Sequence, residues 1–207
     1  MKDKLAMSKE NPIPNNENQR LKALKQYKVL DTLPEKQFDD ITRLASIICE
    51  APITLISLID EKRQWFKSKV GLNTPETPRE ISVCQHAILT DEIFEIENSL
   101  EDERFSTNPL VTGKTNIRFY AGAPLKTPEG YNIGTLCVID TKPRKLTPEQ
   151  REALTILANE VITNLELRKE HTVLQEEKQA TAAANKLLHS FFNNTPSLIA
   201  MKDVEKR

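Results

Sequence analysis

A chain of 207 residues can bury one sizeable core and carry an appendage, but hardly holds two full domains. Its 29 basic and 30 acidic side chains nearly cancel, to a net charge of -1, which argues against a general nucleic-acid or anionic-membrane binder built on basic excess. Cys49, Cys84 and Cys137 stand apart in apolar surroundings without CxxC spacing, which suits reduced thiols. With no apolar h-region at the N-terminus and no run of membrane-spanning length, the chain is expected to be soluble and cytoplasmic.

Residues 1–15 are polar with Pro12 and Pro14, and are expected to be a disordered lead-in. Glu17–Lys28 reads as a short helix with Leu21 and Leu24 at helical spacing. Leu30–Pro34 breaks it, and Thr32 with Glu35 three residues later forms a capping box for the next helix. Phe38, Ile41, Leu44, Ala45 and Ile48 make that helix's apolar stripe, and Pro52 marks its end. Ile53–Ile59 is apolar on both faces, as a central strand should be. After a polar turn, Gln64–Val70 alternates, with Trp65, Lys67 and Lys69 on one face and Phe66, Ser68 and Val70 on the other. Gly71–Arg79 carries Pro75 and Pro78 and is a loop. Ile81–Leu89 suits helix or extended chain, and Ile93–Ile96 is a short strand. Asn98–Lys114 is a long polar connection, of a length that usually serves function.

The strongest local signal lies between Phe119 and Asp140. Two apolar runs, Phe119–Leu125 and Ile133–Ile139, flank Thr127-Pro128-Glu129-Gly130, in which Pro presets φ and Gly takes the positive value. This is an antiparallel hairpin. In its second run Ile133, Thr135, Cys137 and Ile139 point one way and Gly134, Leu136 and Val138 the other. Neither face is charged, so the strand is central. Gly122 and Gly134 leave room for a backbone or a ligand to come close. Thr147-Pro148-Glu149-Gln150 then starts a helix with a Thr cap, Pro at N1 and Gln at N3. Leu154, Leu157, Ala158, Val161 and Leu165 form its apolar face. It can run to about Leu188, which at ~1.5 Å per residue is roughly 60 Å, longer than a domain of this size needs. Its second half, dominated by Glu, Lys, Gln and Ala, suits pairing with a second copy of itself.

Arg118–Leu125 (RFYAGAPL) and Gly134–Asp140 (GTLCVID) resemble the C-terminal half of a GAF domain, of the kind found at the N-termini of bacterial sensor histidine kinases and diguanylate cyclases. The segment from Asn16 to Asp60 resembles the opening of the same subfamily, and Phe191–Asp203 resembles the start of a PAS domain. The resemblance implies an α/β (α+β) fold, a central antiparallel sheet with helices on both sides and a long C-terminal helix. It divides the chain into a lead-in (1–15), a GAF domain (16–168), a signalling helix or coiled-coil linker (169–189) and a truncated PAS start (190–207). It further implies a sensory module of a two-component or related signalling protein, a homodimer through the terminal helices. A small ligand or a partner bound in the pocket would bias those helices and hence a downstream PAS and output domain. A ligand-free dimerisation scaffold and a thiol-dependent enzyme, such as the GAF-fold reductases of free methionine sulfoxide, are the alternatives.

Cys84-Gln85-His86 places a thiol and an imidazole two apart: on a strand they share a side, on a helix they diverge by about 200°. No third or fourth ligand stands at zinc spacing, so no metal is expected. Bilin-binding GAF relatives attach their chromophore through a Cys followed directly by His, and Gln85 intervenes here. Gly113-Lys114-Thr115 lacks both the earlier Gly and the strand–helix setting of a phosphate-binding loop. His189 lacks the surroundings of a phosphoacceptor. The cofactor therefore stays unknown. In Glu101–Phe105, which resembles the subfamily's Asp-x-Arg-Phe element, Asp102 and Arg104 are expected to tie down the loop and Phe105 to plug the pocket. Arg118 either meets an anionic ligand or, the preferred reading, pairs with Asp102. The candidate pocket set is Trp65, Phe66, Cys84, His86, Phe105, Arg118, Tyr120 and Cys137.

Overall fold

The computed structural model describes residues 12–194. Most of the expected lead-in and the expected PAS start from Thr195 onward lie outside the described residues. The chain divides into two compact units, one ending at Glu166 and the other beginning at Leu167. The first is built on six antiparallel strands: β1 (Ile53–Ile59), β2 (Arg63–Val70), β3 (Glu76–Pro78), β4 (Phe94–Ile96), β5 (Phe119–Lys126) and β6 (Asn132–Asp140). Their order across the sheet is β3-β2-β1-β6-β5-β4, so the two strands expected to be central form the middle pair.

Helices α1 (Glu17–Gln26) and α2 (Lys36–Ile48) and the first turns of α5 (Pro148–Asn194) cover one face of this sheet. Leu24, Phe38, Ala45, Leu154, Ala158, Val161 and Leu165 meet Ile56, Leu58, Trp65, Phe119, Leu136 and Val138 there. Two short helices, α3 (Cys84–Ala87) and α4 (Pro109–Thr112), lie with the long connection on the other face. Its core joins Leu55, Ile59, Phe66, Tyr120, Cys137 and Ile139 to Val83, Cys84, Ile88, Phe105 and Val111. Ile81–Leu89, open between two conformations in the sequence, thus contains a short helix.

Two bulges interrupt the expected alternation. Ile56 pairs with Ser68 and Ser57 with Phe66, which leaves Lys67 as an extra residue in β2. Lys67 turns towards the helical face, and Ser68 follows it rather than Phe66, donating to Asp39 of α2 over 2.6 Å. A second shift, between Leu125 and Lys126, puts Ile133 into the helix-side core instead of beside Thr135 and Cys137.

The helix starts behave differently. At α5 the box forms as expected: the Gln150 amide donates to the Thr147 hydroxyl and the Thr147 amide to the Gln150 side chain, both over 3.2 Å. At α2 it does not. The helix is capped at Glu35 without a side-chain bond, and the Thr32 hydroxyl donates to the Val29 carbonyl over 2.7 Å. The buried Lys67 ammonium claims Thr32 and Glu35 as acceptors, which removes both from capping. On α2, Leu44 and Ile48 fall outside the buried stripe of Phe38, Ile41, Thr42 and Ala45. At Gly130 the hairpin turn has the expected positive φ, +88°. A Cβ at Gly134 would strike the Ser57 carbonyl of β1, so this glycine admits a neighbouring backbone.

Candidate functional site

The loop-side face of the sheet encloses a cavity of about 70 Å³. Its walls are Ile53, Leu55, Phe66, Leu72, Val83, Leu110, Ile117 and Ile139, with Gln64, Thr77, Cys84 and Tyr120 bringing in polar atoms. A Cβ at Gly122 would meet the Tyr120 hydroxyl, so the Tyr120 side chain lies over the bare backbone of its own strand. That position lets the hydroxyl donate to the Cys84 sulfur over 3.2 Å. The Gln64 side-chain amide donates to the same sulfur over 3.4 Å, while its carbonyl accepts from Ser82. Cys137 on β6 puts its sulfur 3.7 Å from that of Cys84.

Ser57 and Thr135 face one another across β1 and β6, both fully buried, and neither hydroxyl has a hydrogen-bond partner. Both help a Cys84 thiolate. Burial raises this thiol, but Cys137, Tyr120 and the Thr135 and Ser57 hydroxyls, which are available to donate to the ionised sulfur, outweigh burial and bring it down to about 6. The bond to Cys84, and then burial, holds Cys137 well above the ordinary thiol value. Of the two cysteines, Cys84 gives up its proton first. Gln64, Ser57 and Thr135 were missed in the sequence. Ser57 and Thr135 left one signal, as polar residues inside otherwise apolar central strands.

The other candidate residues take different places. Trp65 packs in the helix-side core, across the sheet from the cavity. Because α3 is helical, Cys84 and His86 diverge, which removes chelation by the pair. Among the described residues no group of three or more His, Cys, Asp and Glu side chains is placed to hold a metal. His86 sets its ring edge-on to Phe105, with centroids 4.7 Å apart; burial and the Arg104 charge push it down to about 4, so it is neutral. Phe105 is core and lies outside the cavity wall. Arg104 pairs with Asp102 over 2.6 Å and lies over the rings of Phe94 and Phe105, which ties down the loop as expected. Arg118 instead donates to the carbonyls of Val111 and Ile117, over 3.0 and 2.9 Å: Arg104, two residues from Asp102, has already taken that carboxylate.

The start of α5 is fastened to the sheet edge and its sixth turn to the residue that caps α1. The Leu146 amide donates to Glu95 of β4 over 2.7 Å, and Arg151 pairs with the same carboxylate. Tyr27, just after α1, donates its hydroxyl to Glu166. A wider surface trough of about 650 Å³ lies nearby, lined by Glu92, Glu95, Glu97, Lys145 and Arg151 among others. Its cations are already engaged, Lys145 with Glu97 over 2.6 Å and Arg151 with Glu95, so the inner cavity is the better candidate site.

The family model for the GAF domain matches residues 34–165. A cyclic di-GMP phosphodiesterase of Pseudomonas aeruginosa is 43% identical over 143 residues, which are 69% of this chain and 24% of that protein. The chain therefore spans less than a third of that relative. Among solved structures, the GAF domain of an Acinetobacter phosphoenolpyruvate-protein phosphotransferase superposes with a TM-score of 0.54 at 17% identity, over 74% of this chain and 95% of that one. A type II free methionine-R-sulfoxide reductase of Thermoplasma acidophilum gives 0.50 at 12% identity, over 63% and 92%. At such identities the likeness is one of fold.

Proposed function

The chain belongs to the GAF domain family, and we propose that it is a sensory module of a bacterial signal-transduction protein, with its input at the inner cavity and its output through α5. The observation that carries this reading is the alternation along β6. Cys137 and Ile139 face the cavity side, while Leu136 and Val138 pack into the core that holds Leu154, Ala158, Val161 and Leu165 of α5. A ligand that shifts β6 therefore acts on both faces at once, because packed interiors transmit displacement. It must bind two arrangements of the terminal helices unequally to carry a signal. Within the second unit, Leu167, Leu174 and Leu188 are exposed at one- and two-heptad intervals, which suits a homodimeric coiled coil leading to a PAS and output domain. A histidine kinase or diguanylate cyclase suits the output. The Pseudomonas relative adds a cyclic di-GMP phosphodiesterase to that set. A module of this kind works in the cytoplasm.

One observation favours the scaffold reading. The cavity, at about 70 Å³, is far below the ~300–1,000 Å³ of ordinary small-molecule sites. That space is too small for a whole methionine sulfoxide, so that enzymatic reading loses support. Mass measurement of the purified protein, native and then denatured, separates the remaining two. A released small molecule supports the sensor. A clean dimer whose stability and mass ignore every added compound supports the scaffold and removes the sensor.

A further inference from the structure

We propose that Cys84 and Cys137 are a redox pair, which a small hydroperoxide entering the cavity closes to a disulfide. The inference names the chemical class of the input and, for its transmission step only, rests on the sensory reading above. Four observations carry it. The sulfurs stand 3.7 Å apart, in van der Waals contact, on elements far apart in sequence. Cys84 lines the cavity and Cys137 lies behind it. The Tyr120 hydroxyl and the Gln64 amide both donate to the Cys84 sulfur, and the orphaned Ser57 and Thr135 hydroxyls stand ready beside it. Buried unpartnered hydroxyls are costly, and a thiolate gives both an acceptor.

The reaction balances with one peroxide. The Cys84 thiolate attacks a peroxide oxygen and breaks the O–O bond; the departing hydroxide takes up a proton and leaves as water. Cys84 is then a sulfenic acid. The Cys137 sulfur attacks the Cys84 sulfur, displacing hydroxide, which leaves as a second water with the Cys137 proton. Two thiols and one peroxide give one disulfide and two waters. Low thiol pKa and access to the oxidant govern such a step. The cavity acts as a size filter: hydrogen peroxide, little larger than water, fits a space of about 70 Å³, and a bulky aryl hydroperoxide does not.

Closing the pair to the ~2.05 Å of a disulfide brings the sulfurs together by roughly 1.7 Å. Cys137 sits in the middle of the sheet, whereas Cys84 opens a four-residue helix held by loops, so Cys84 moves. On the same helix Gln85 accepts from Arg79 over 2.9 Å, and Arg79 pairs with Glu17 of α1 over 2.6 Å. The displacement thus has a polar connection to the N-terminal helix. Cys49, buried at the end of α2 and raised by that burial, is an internal control.

The test treats the reduced chain with hydrogen peroxide, alkylates the remaining thiols in denaturant and maps them by mass. The expected result is an intramolecular Cys84–Cys137 disulfide with Cys49 alkylated, reversed by dithiothreitol. Loss of free Cys84 should be at least roughly tenfold faster than loss of Cys49, and faster with hydrogen peroxide than with cumene hydroperoxide by a similar factor. Cys137→Ser should stop at a Cys84 sulfenic acid, trapped by dimedone added together with the denaturant, and Cys84→Ser should leave Cys137 unreacted. Should a serine variant fail to fold, the wild-type map decides. Alkylation of both Cys84 and Cys137 after treatment, or equal oxidation of Cys49, overturns the proposal. Hydrogen exchange in α1 and α5 keeps the two readings apart. A disulfide with unchanged exchange upholds the thiol pair and removes its relay. Absence of the disulfide removes the thiol pair and leaves the ligand reading to the native mass measurement.

Discussion

The Lys67 ammonium, buried at the bulge of β2, meets the Glu35 carboxylate over 2.6 Å. It donates as well to the Thr32 hydroxyl and the Leu33 carbonyl, both over 2.9 Å, so its three donors have three acceptors. Removing one side of such a pair leaves a buried charge under-compensated. Glu35→Ala should cost about 3 kcal/mol, and Lys67→Met, which removes the charge, distinctly less. Urea unfolding of both variants is the check, and equal losses would contradict the asymmetry.

The glycines of the central hairpin should respond unequally to alanine. At Gly134 the added Cβ meets the Ser57 carbonyl and the Leu58 backbone of the middle strand, which cannot turn aside. Gly134→Ala should lose about 3 kcal/mol, the upper range for overpacking. At Gly122 it meets the hydroxyl end of the Tyr120 side chain rather than backbone, so the loss should be smaller. Gly122→Ala should, however, turn the hydroxyl off Cys84 and slow alkylation of that thiol at neutral pH. Thermal unfolding and thiol kinetics measured together test both statements.

Acid should act in two windows. Burial, and then Arg104, hold His86 down to about 4, against 6.5 in the unfolded chain. Between these values the unfolded chain binds the extra proton, so stability falls as pH drops from 6.5 to about 4. Burial raises the Glu17 carboxyl, but Arg20 and Arg79 outweigh it and hold it at about 2. Its stabilising contribution is complete above 4.5 and is lost as pH falls towards about 2. His86→Gln should flatten the upper window and Glu17→Gln the lower one. Unfolding free energies across pH would show a wild-type slope in either variant if the assignment is wrong.

The middle of the sheet was legible because β1 and β6 are apolar on both faces, and the α5 start because Thr147, Pro148 and Gln150 stand at capping spacing. What was not legible depends on neighbours distant in sequence. The alternation of β2 gave no hint that Lys67 is extra, since the bulge is set by its pairing with β1 and by acceptors more than thirty residues earlier. The box at Thr32 and Glu35 was written correctly in the local code but outbid by that same ammonium. Cys84, Tyr120 and Cys137 were all candidates; that they converge on one sulfur follows from Gly122 and the strand register, neither of which a linear pattern reveals.

The central claim is that the cavity and α5 are read through one sheet. Methylthiolation of Cys84, verified by peptide mass, adds a small group inside the cavity, and hydrogen exchange over Thr155–Leu165 then reports on the helix. The account predicts exchange there severalfold faster than in the unmodified protein. Unchanged exchange with Cys84 fully modified would contradict it.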